Sequence, residues 1–341
     1  MRVVRKSEQP SATRRVVLAV VVGALLFLLS NFVDEYRIFQ GAQVAAYLVG
    51  IISIVLLTGF SGQITLGQGA FMAVGAYSSA IVVQEFGLPI WLTFFIAVIA
   101  AALFGAIIGI SAGRLSGPYL AGATLAFAVG IPALANAIPI LGGEQGLPFD
   151  VGLAPGRFAD TVPPFQWLFW ICALCAIIAV VVAVNLTSSG LGRQWRAVRA
   201  HETAAALAGI NPARSKVLAF TVSSGFAGLA GVSFSATVGL VSPSGFTLSL
   251  SFLLLTGAIL GGISHISGAL GGAIIVVIIP ILFETWTEEA SLGVATYLPG
   301  IIVSALLLLS IALAPEGPSE LIHKLRHRNH GNHGRHGRQH H

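Results

Sequence analysis

Residues 38–84 read IFQGAQVAAYLVGIISIVLLTGFSGQITLGQGAFMAVGAYSSAIVVQ, forty-seven positions without a Lys, Arg, Asp or Glu. As one continuous helix the run would extend about 70 Å, more than twice the roughly 30 Å hydrocarbon core of a bilayer. It therefore reads as two membrane crossings with a turn between them. The second half of the run is unusual for lipid. Residues 59–77, GFSGQITLGQGAFMAVGAY, hold Gly59, Gly62, Gly67, Gly69 and Gly75 together with Ser61, Gln63, Thr65, Gln68 and Tyr77. Glycine weakens a helix, and an amide in hydrocarbon is costly unless it finds a partner. The glycines are expected to serve as helix-packing or hinge positions. Gln63, Thr65 and Gln68 are expected to face the protein interior, where they either bond internally or line a substrate path, with Thr124 and Asn136 as further path candidates.

The remaining charge-free runs extend this pattern through the chain. The sequence is 55% hydrophobic and 9% charged, with mean hydropathy +0.88, whereas soluble domains carry about 25% charged residues. Residues 16–33, 86–113, 115–143, 161–192 and 290–315 each allow one crossing, and the 67-residue run 217–283 allows three. About ten transmembrane helices result, or fewer if a re-entrant pair imitates two of them. With both termini in the cytoplasm, sixteen of the eighteen Lys and Arg residues fall on cytoplasmic segments, and nine of the thirteen acidic residues fall outside. The net charge of +5 thus reflects topology, and no nucleic-acid partner is expected. The expected organisation is a basic N-terminus at 1–15, a transmembrane domain at 16–315 and a disordered His/Arg-rich tail at 316–341. Five crossings per half would make the two halves an inverted pair. The apolar run 16–33 reads as an anchor, being longer than a signal-peptide core and lacking a small-x-small cleavage site.

Residues 186–216 form the largest inner loop, which contains SSGLGRQWRAVRAHETAAALAGINPARSK. Ser188 or Ser189 can cap a helix there, and Gly209 followed by Pro212 ends it. Trp195, Val198, Ala205 and Leu207 can share an apolar side, while Arg193, Arg196 and Arg199 recur every third residue. The residues alone allow two readings: a helix held by lipid phosphates, or one that presents Glu202 and a small Ala surface to the groove of a partner protein.

Other signals point to no chemistry. Cys172 and Cys175 share one helix face in an apolar setting, where thiolates are disfavoured and inert packing is expected. The tail HKLRHRNHGNHGRHGRQHH lacks acidic ligands, so no metal site is expected there. His265 reads as a residue of a Gly-rich inner turn. The sequence contains no Gly-Lys dipeptide, hence no phosphate-binding loop of the Walker A kind. No crossing carries a charge at its centre, which argues against an ion-coupled carrier and leaves a channel or an externally powered permease. No catalytic constellation is visible, and this chain is expected not to be an enzyme.

Four ordered motifs resemble the LivM-type permease subunits of branched-chain amino acid ABC importers: LLTGFSGQITLGQGAFMAVGAYSSA (56–80), LSGPYLAGATLAFAVGIPALANAIPILGGEQGL (115–147), RQWRAVRAHETAAALAGINPARSKVLAFTVSSGFAGLAG (193–231) and VSPSGFTLSLSFLLLTGAILGGISHISGALGGAI (241–274). The resemblance covers roughly 40–315. It implies an all-helical ABC-importer permease fold in a bacterial inner membrane. It also implies a second homologous permease subunit, two cytoplasmic ATPase subunits that carry ATP and Mg, and a periplasmic or lipid-anchored binding protein. No cofactor is expected on this chain. The resemblance further implies that Arg199, Glu202, Ala205, Gly209 and Ile210 couple to the ATPase. Two departures bear on substrate. Ser264-His265-Ile266-Ser267-Gly268-Ala269 stands where relatives usually show Gly-Ser-Leu-x-Gly-Pro, and Val129 stands where Glu is common. Import of urea, short amides or a sugar is the alternative within the class, and a passive channel for a small polar solute is the alternative outside it.

Overall fold

A computed structural model describes residues 12–113, 118–152, 162–289 and the helical positions 301, 305 and 308. Among these residues the chain is built of α-helices: α1 (Ala12–Leu29), α2 (Glu35–Ile54), α3 (Gln68–Phe86), α4 (Ile90–Ala112), α5 (Pro118–Ala137), α6 (Pro164–Ser188), α7 (Gly190–Ala200), α8 (Glu202–Leu207), α9 (Pro212–Val238), α10 (Leu248–Gly261) and α11 (Ile266–Glu289). A helix stands in each charge-free run that falls within the described residues. Most of the tenth expected crossing, most of the acidic 284–299 segment, Arg114, Arg157, residues 1–11 and the His-rich tail lie outside them.

Five of these spans are long and apolar enough to cross a bilayer by length and composition: Glu35–Phe60, Ile90–Ser111, Tyr119–Ala137, Pro164–Ser188 and Pro212–Val238. The expectation of three full crossings in 217–283 is corrected at α10. Its 14 residues rise only about 21 Å, short of a bilayer core. The residues before it, 240–246, are spent on a two-residue strand and a 3-10 turn. Hydropathy cannot separate a half-helix from a full one when both are apolar throughout.

Charge sorts to the two ends of the bundle. At the basic end Arg15 donates to Asn185 and Ser188, both at 3.0 Å, which pins the start of α1 to the end of α6. At the acidic end two connectors meet as a minimal antiparallel sheet, β1 (Leu147–Pro148) with β2 (Leu240–Val241). The Phe149 N–H donates to the Gly239 carbonyl at 3.0 Å, and Gln84 at the end of α3 donates to the Pro148 carbonyl at 3.0 Å. Gln166 and Trp170 of α6 donate to Ser30 beyond α1 at the same end.

The interior is held by glycine contacts. Lipid supplies little hydrophobic drive between helices, so association depends on close backbone approach. A Cβ at Gly75 of α3 would lie 2.5 Å from the Gly228 Cα of α9, and one at Gly231 would lie 2.0 Å from the Met72 carbonyl oxygen. On the other side of α9, a Cβ at Gly228 would meet the Ala97 carbonyl of α4 at 2.4 Å. Helices α10 and α11 close as a hairpin on the facing pairs Gly257–Gly272 and Gly261–Gly268. The Gly-rich turn that holds the exposed His265 joins this hairpin. Cys172 is buried with its Sγ 3.9 Å from the Ser233 carbonyl, and neither it nor Cys175 forms a disulfide.

Candidate functional site

Two neighbouring features carry the site, a break between α2 and α3 and a short helical unit outside the bundle at the basic end. Helix α2 loosens into a π-helical turn at Val55–Phe60, and α3 restarts at Gln68. Gly59 allows this because its position has no room for a side chain: a Cβ would lie 1.9 Å from the Ile263 carbonyl oxygen, in the turn between α10 and α11. Gly62 reverses the chain with φ +74°, a left-handed conformation that glycine adopts freely.

The polar residues of the break are buried and bonded inside the protein. The Leu66 N–H donates to the Thr124 hydroxyl of α5 at 3.2 Å, and the Gly67 N–H donates to the Thr65 hydroxyl at 3.1 Å. The Gly69 N–H donates to the Ser251 hydroxyl at 2.9 Å, which brings the start of α3 beside α10. The Gln68 amide donates to the Ser223 hydroxyl of α9 at 2.8 Å, and that hydroxyl donates to the Ser53 carbonyl of α2 at 2.8 Å. Gln63 donates to Ser61 at 2.7 Å. Because the Ser223 proton is committed to Ser53, Gln68 must use its nitrogen toward Ser223. Its carbonyl oxygen is left buried without a partner, as is that of Gln63. Such an acceptor calls for water or a ligand donor, since an unmet buried group costs about 1–3 kcal/mol. Gln63, Thr65, Gln68 and Thr124 thus share one region, but Asn136 stands apart and exposed on the acidic-end half of α5.

The expected single inner helix is two helices. Helix α7 ends at Ala200, His201 takes extended backbone angles, and α8 restarts at Glu202. Ser189 occupies the N-cap position of α7, yet its hydroxyl donates back to the Leu186 carbonyl. Gly209, with φ +84°, closes α8 in a Schellman arrangement: the Ile210 N–H reaches the Ala205 carbonyl and the Gly209 N–H the Ala206 carbonyl, both at 3.0 Å. Asn211 then caps α9 by accepting the Arg214 N–H at 3.1 Å, with Pro212 in the first turn.

The break at His201 resets the helix phase and corrects the proposed apolar side. Trp195, Val198 and Ala205 are buried, but Leu207 is 92% exposed. Gly192 lets α7 lie against the end of α6, because a Cβ there would be 2.3 Å from the Thr187 carbonyl oxygen. The arginines do not simply face outward. Arg196 sits over the Phe60 ring, 5.7 Å from its centroid, and Arg199 donates to the Gly59 carbonyl. Glu202 pairs with Lys216 of α9 at 2.8 Å. A groove of about 500 Å³ opens beside α8, bounded by Gly113, Glu202, Ala206, Gly209, Ile210 and Pro212 among others. Among the described residues, no group of three or more His, Cys, Asp or Glu is placed to hold a metal ion.

Apolar helices crossing on glycine, charge sorted to the two ends and a buried polar break define a polytopic α-helical membrane protein. The chain belongs to the family described as the permease component of the branched-chain amino acid transport system, which matches residues 38–311. It is similar to the high-affinity branched-chain amino acid transport system permease protein LivM of Escherichia coli (strain K12), with 33% identity over 268 residues, 72% of this chain and 63% of that one. The LivM of Salmonella typhimurium is 31% identical over the same shares. LivH of Escherichia coli (strain K12) is 26% identical over 190 residues, 55% of this chain and 54% of that one. The match to the LivM proteins thus spans less than two thirds of their length. No solved structure matches the chain.

Proposed function

We propose that this chain is the membrane-spanning permease subunit of an ATP-driven importer for branched-chain or related hydrophobic amino acids, working by alternating access. The observation that carries the reading is the α7–α8 unit on a chain of this family. An almost fully exposed leucine beside an open groove, at the basic end of a membrane bundle, suits docking to a protein better than contact with water. Two ATPase subunits, holding ATP and Mg, would receive α8. A binding protein would deliver substrate to the acidic end, and the basic end would face the cytoplasm of a bacterial cell.

Helix α5 supports a second permease subunit. Its most apolar stretch has mean hydropathy 1.6 and only 22% of its residues buried, whereas α4 and α6, with 33% and 39% of theirs buried, reach 2.6 and 2.8. The value of α5 equals that of α9, which is 61% buried. A helix so exposed and so weakly apolar is poorly matched to lipid. Its Gly122 and Gly130 have nothing within 4 Å, and Asn136 lies exposed on it, so a partner helix can approach closely along that side.

Leucine uptake into proteoliposomes holding the full complex, with ATP supplied on the ATPase side, tests the reading. Uptake is expected to require both ATP and the binding protein. Equal uptake without ATP would make the chain a facilitator, and uptake of urea in preference to leucine would replace the substrate class. We further place Gln63 and Gln68 on the substrate path, where their unmet carbonyls accept from the passing ligand. Gln63→Leu and Gln68→Leu are each expected to lower uptake about tenfold, equivalent to about 1.4 kcal/mol. Unchanged uptake in both would reduce these amides to helix-packing groups.

A further inference from the structure

Resting on the reading above, we propose that Arg199 is a positioning residue that transmits movement of the docked α8 to the break between α2 and α3, so that ATPase motion opens the permease at residues 59–67. Arg199 lies in the last turn of α7, two residues before His201, and α8 starts directly after that residue, so a displacement of α8 reaches this turn of α7 first. The residue is exposed overall, yet its side chain reaches the break. The aliphatic stem lies against Gly62, where a Cβ would be 2.7 Å from the Arg199 Cγ, and the guanidinium donates to the Gly59 carbonyl.

That carbonyl belongs to the final turn of α2 and its π-helical extension, where helix ends leave oxygens without chain partners. A cation there also meets the negative end of the helix dipole, and a charged donor makes the stronger kind of hydrogen bond. The neighbouring links confine movement to this place. Arg196 over Phe60 gives α7 a second hold on the same turn, and Gly59 itself abuts the α10–α11 turn at Ile263.

Beyond Gly62 the chain is tied to α5 through Leu66 and Thr124, and to α9 through Gln68 and Ser223. A shift of α7 therefore pulls on one end of a short segment whose other end is held. The Gly62 turn, which pays little for changing its backbone angles, is the part that yields. A simple helix-capping role would stabilise α2 without linking hydrolysis to opening, and the two roles separate in the ratio of leucine moved to ATP hydrolysed.

The experiment reconstitutes the permease with its partner permease, ATPases and binding protein and measures both rates for Arg199→Gln and Arg199→Lys. Arg199→Gln is expected to co-purify with the ATPases and hydrolyse ATP within about twofold of wild type, while leucine moved per ATP falls tenfold or more. Arg199→Lys, which keeps the charge and a donor, is expected to recover most of that ratio. A second readout places a cysteine at Ile64, 58% exposed in the break, in a Cys172→Ser, Cys175→Ser background. Its labelling rate with an impermeant maleimide is expected to change on ATP binding when Arg199 is present and to stay constant in Arg199→Gln. If Arg199→Gln cannot be purified, the same labelling in Arg199→Lys must retain at least half of the ATP response. An unchanged leucine-to-ATP ratio, a proportional loss of both rates, or ATP-responsive labelling without Arg199 would each overturn the proposal. Failure of the wild-type complex to import leucine with ATP would instead overturn the functional reading.

Discussion

Gly75→Leu and Gly231→Leu are expected to prevent recovery of a folded, monodisperse protein from the membrane. At both positions α3 and α9 touch backbone to backbone, with a Cβ 2.5 Å from Gly228 Cα in the first case and 2.0 Å from the Met72 carbonyl in the second. No rotamer change relieves such a clash, because the obstructing atoms belong to the main chain. The helices must separate, and α9 cannot move away freely because Gly228 is seated against Ala97 of α4 on its other side. Overpacking of this severity is expected to cost about 3 kcal/mol or more. Separation would also stretch the Gln68–Ser223–Ser53 chain that joins α3, α9 and α2. Gly122→Ala and Gly130→Ala on α5 supply the contrast. Nothing lies within 4 Å of a Cβ at either position, and alanine is the better helix former, so each is expected to be neutral or to stabilise by up to about 1 kcal/mol. Size-exclusion profiles and melting temperatures of the isolated permease in mild detergent read both sets. A wild-type profile for Gly231→Leu would mean that α3 and α9 do not cross as described.

The same glycines show what can be read from the chain alone. The uncharged runs and their basic and acidic flanks mark where helices stand and how charge sorts to the two ends, because both follow from the cost of placing charge in lipid. The glycines of 59–77 announce close contact, but the partners they touch, Gly228 of α9 and Ile263 of the α10–α11 turn, are distant in sequence. For the same reason α10 reads as a full crossing. Its shortness comes from the 240–246 segment being drawn into the β1–β2 contact with the α5–α6 connector. Arg193, Arg196 and Arg199 look equivalent by spacing, yet their surroundings differ. Arg196 and Arg199 lie under the π-helical turn, whereas Arg193 reaches the Ser188 carbonyl at the end of α6. The change of phase at His201 has no strong sequence signal, since neither glycine nor proline stands there.

That phase change governs the second large effect. Leu207→Asp is expected to weaken association with the ATPase subunits about 30-fold, or about 2 kcal/mol, and to reduce ATP-driven uptake to background at limiting ATPase. Leu207 ends α8 and is 92% exposed, so its replacement removes no contact within this chain, and the melting temperature of the isolated permease should not change. Burying such a side chain in a partner groove contributes roughly 2–3 kcal/mol, most of which a carboxylate would forfeit. Two further variants approach the same surface from other sides. Gly209→Trp places a bulky side chain at the rim of the groove on a backbone of φ +84° that L residues rarely adopt, disturbing the Schellman closure of α8 as well as the dock. Glu202→Lys sets a second cation against Lys216, which is 12% exposed, and so drives α8 away from α9. Both are expected to abolish ATPase association without preventing membrane insertion. Because its Glu202 side is half exposed, the pair contributes no more than about 1 kcal/mol to stability, so Glu202→Gln should retain the fold and most of the association. Co-elution of the ATPases with each detergent-purified variant, compared with the melt of the same preparation, separates lost docking from lost folding. If Leu207→Asp retains its ATPases at wild-type stoichiometry, α8 is not the docking element, and α7, with Trp195 and Val198 buried and its arginines exposed, is a membrane-surface helix instead.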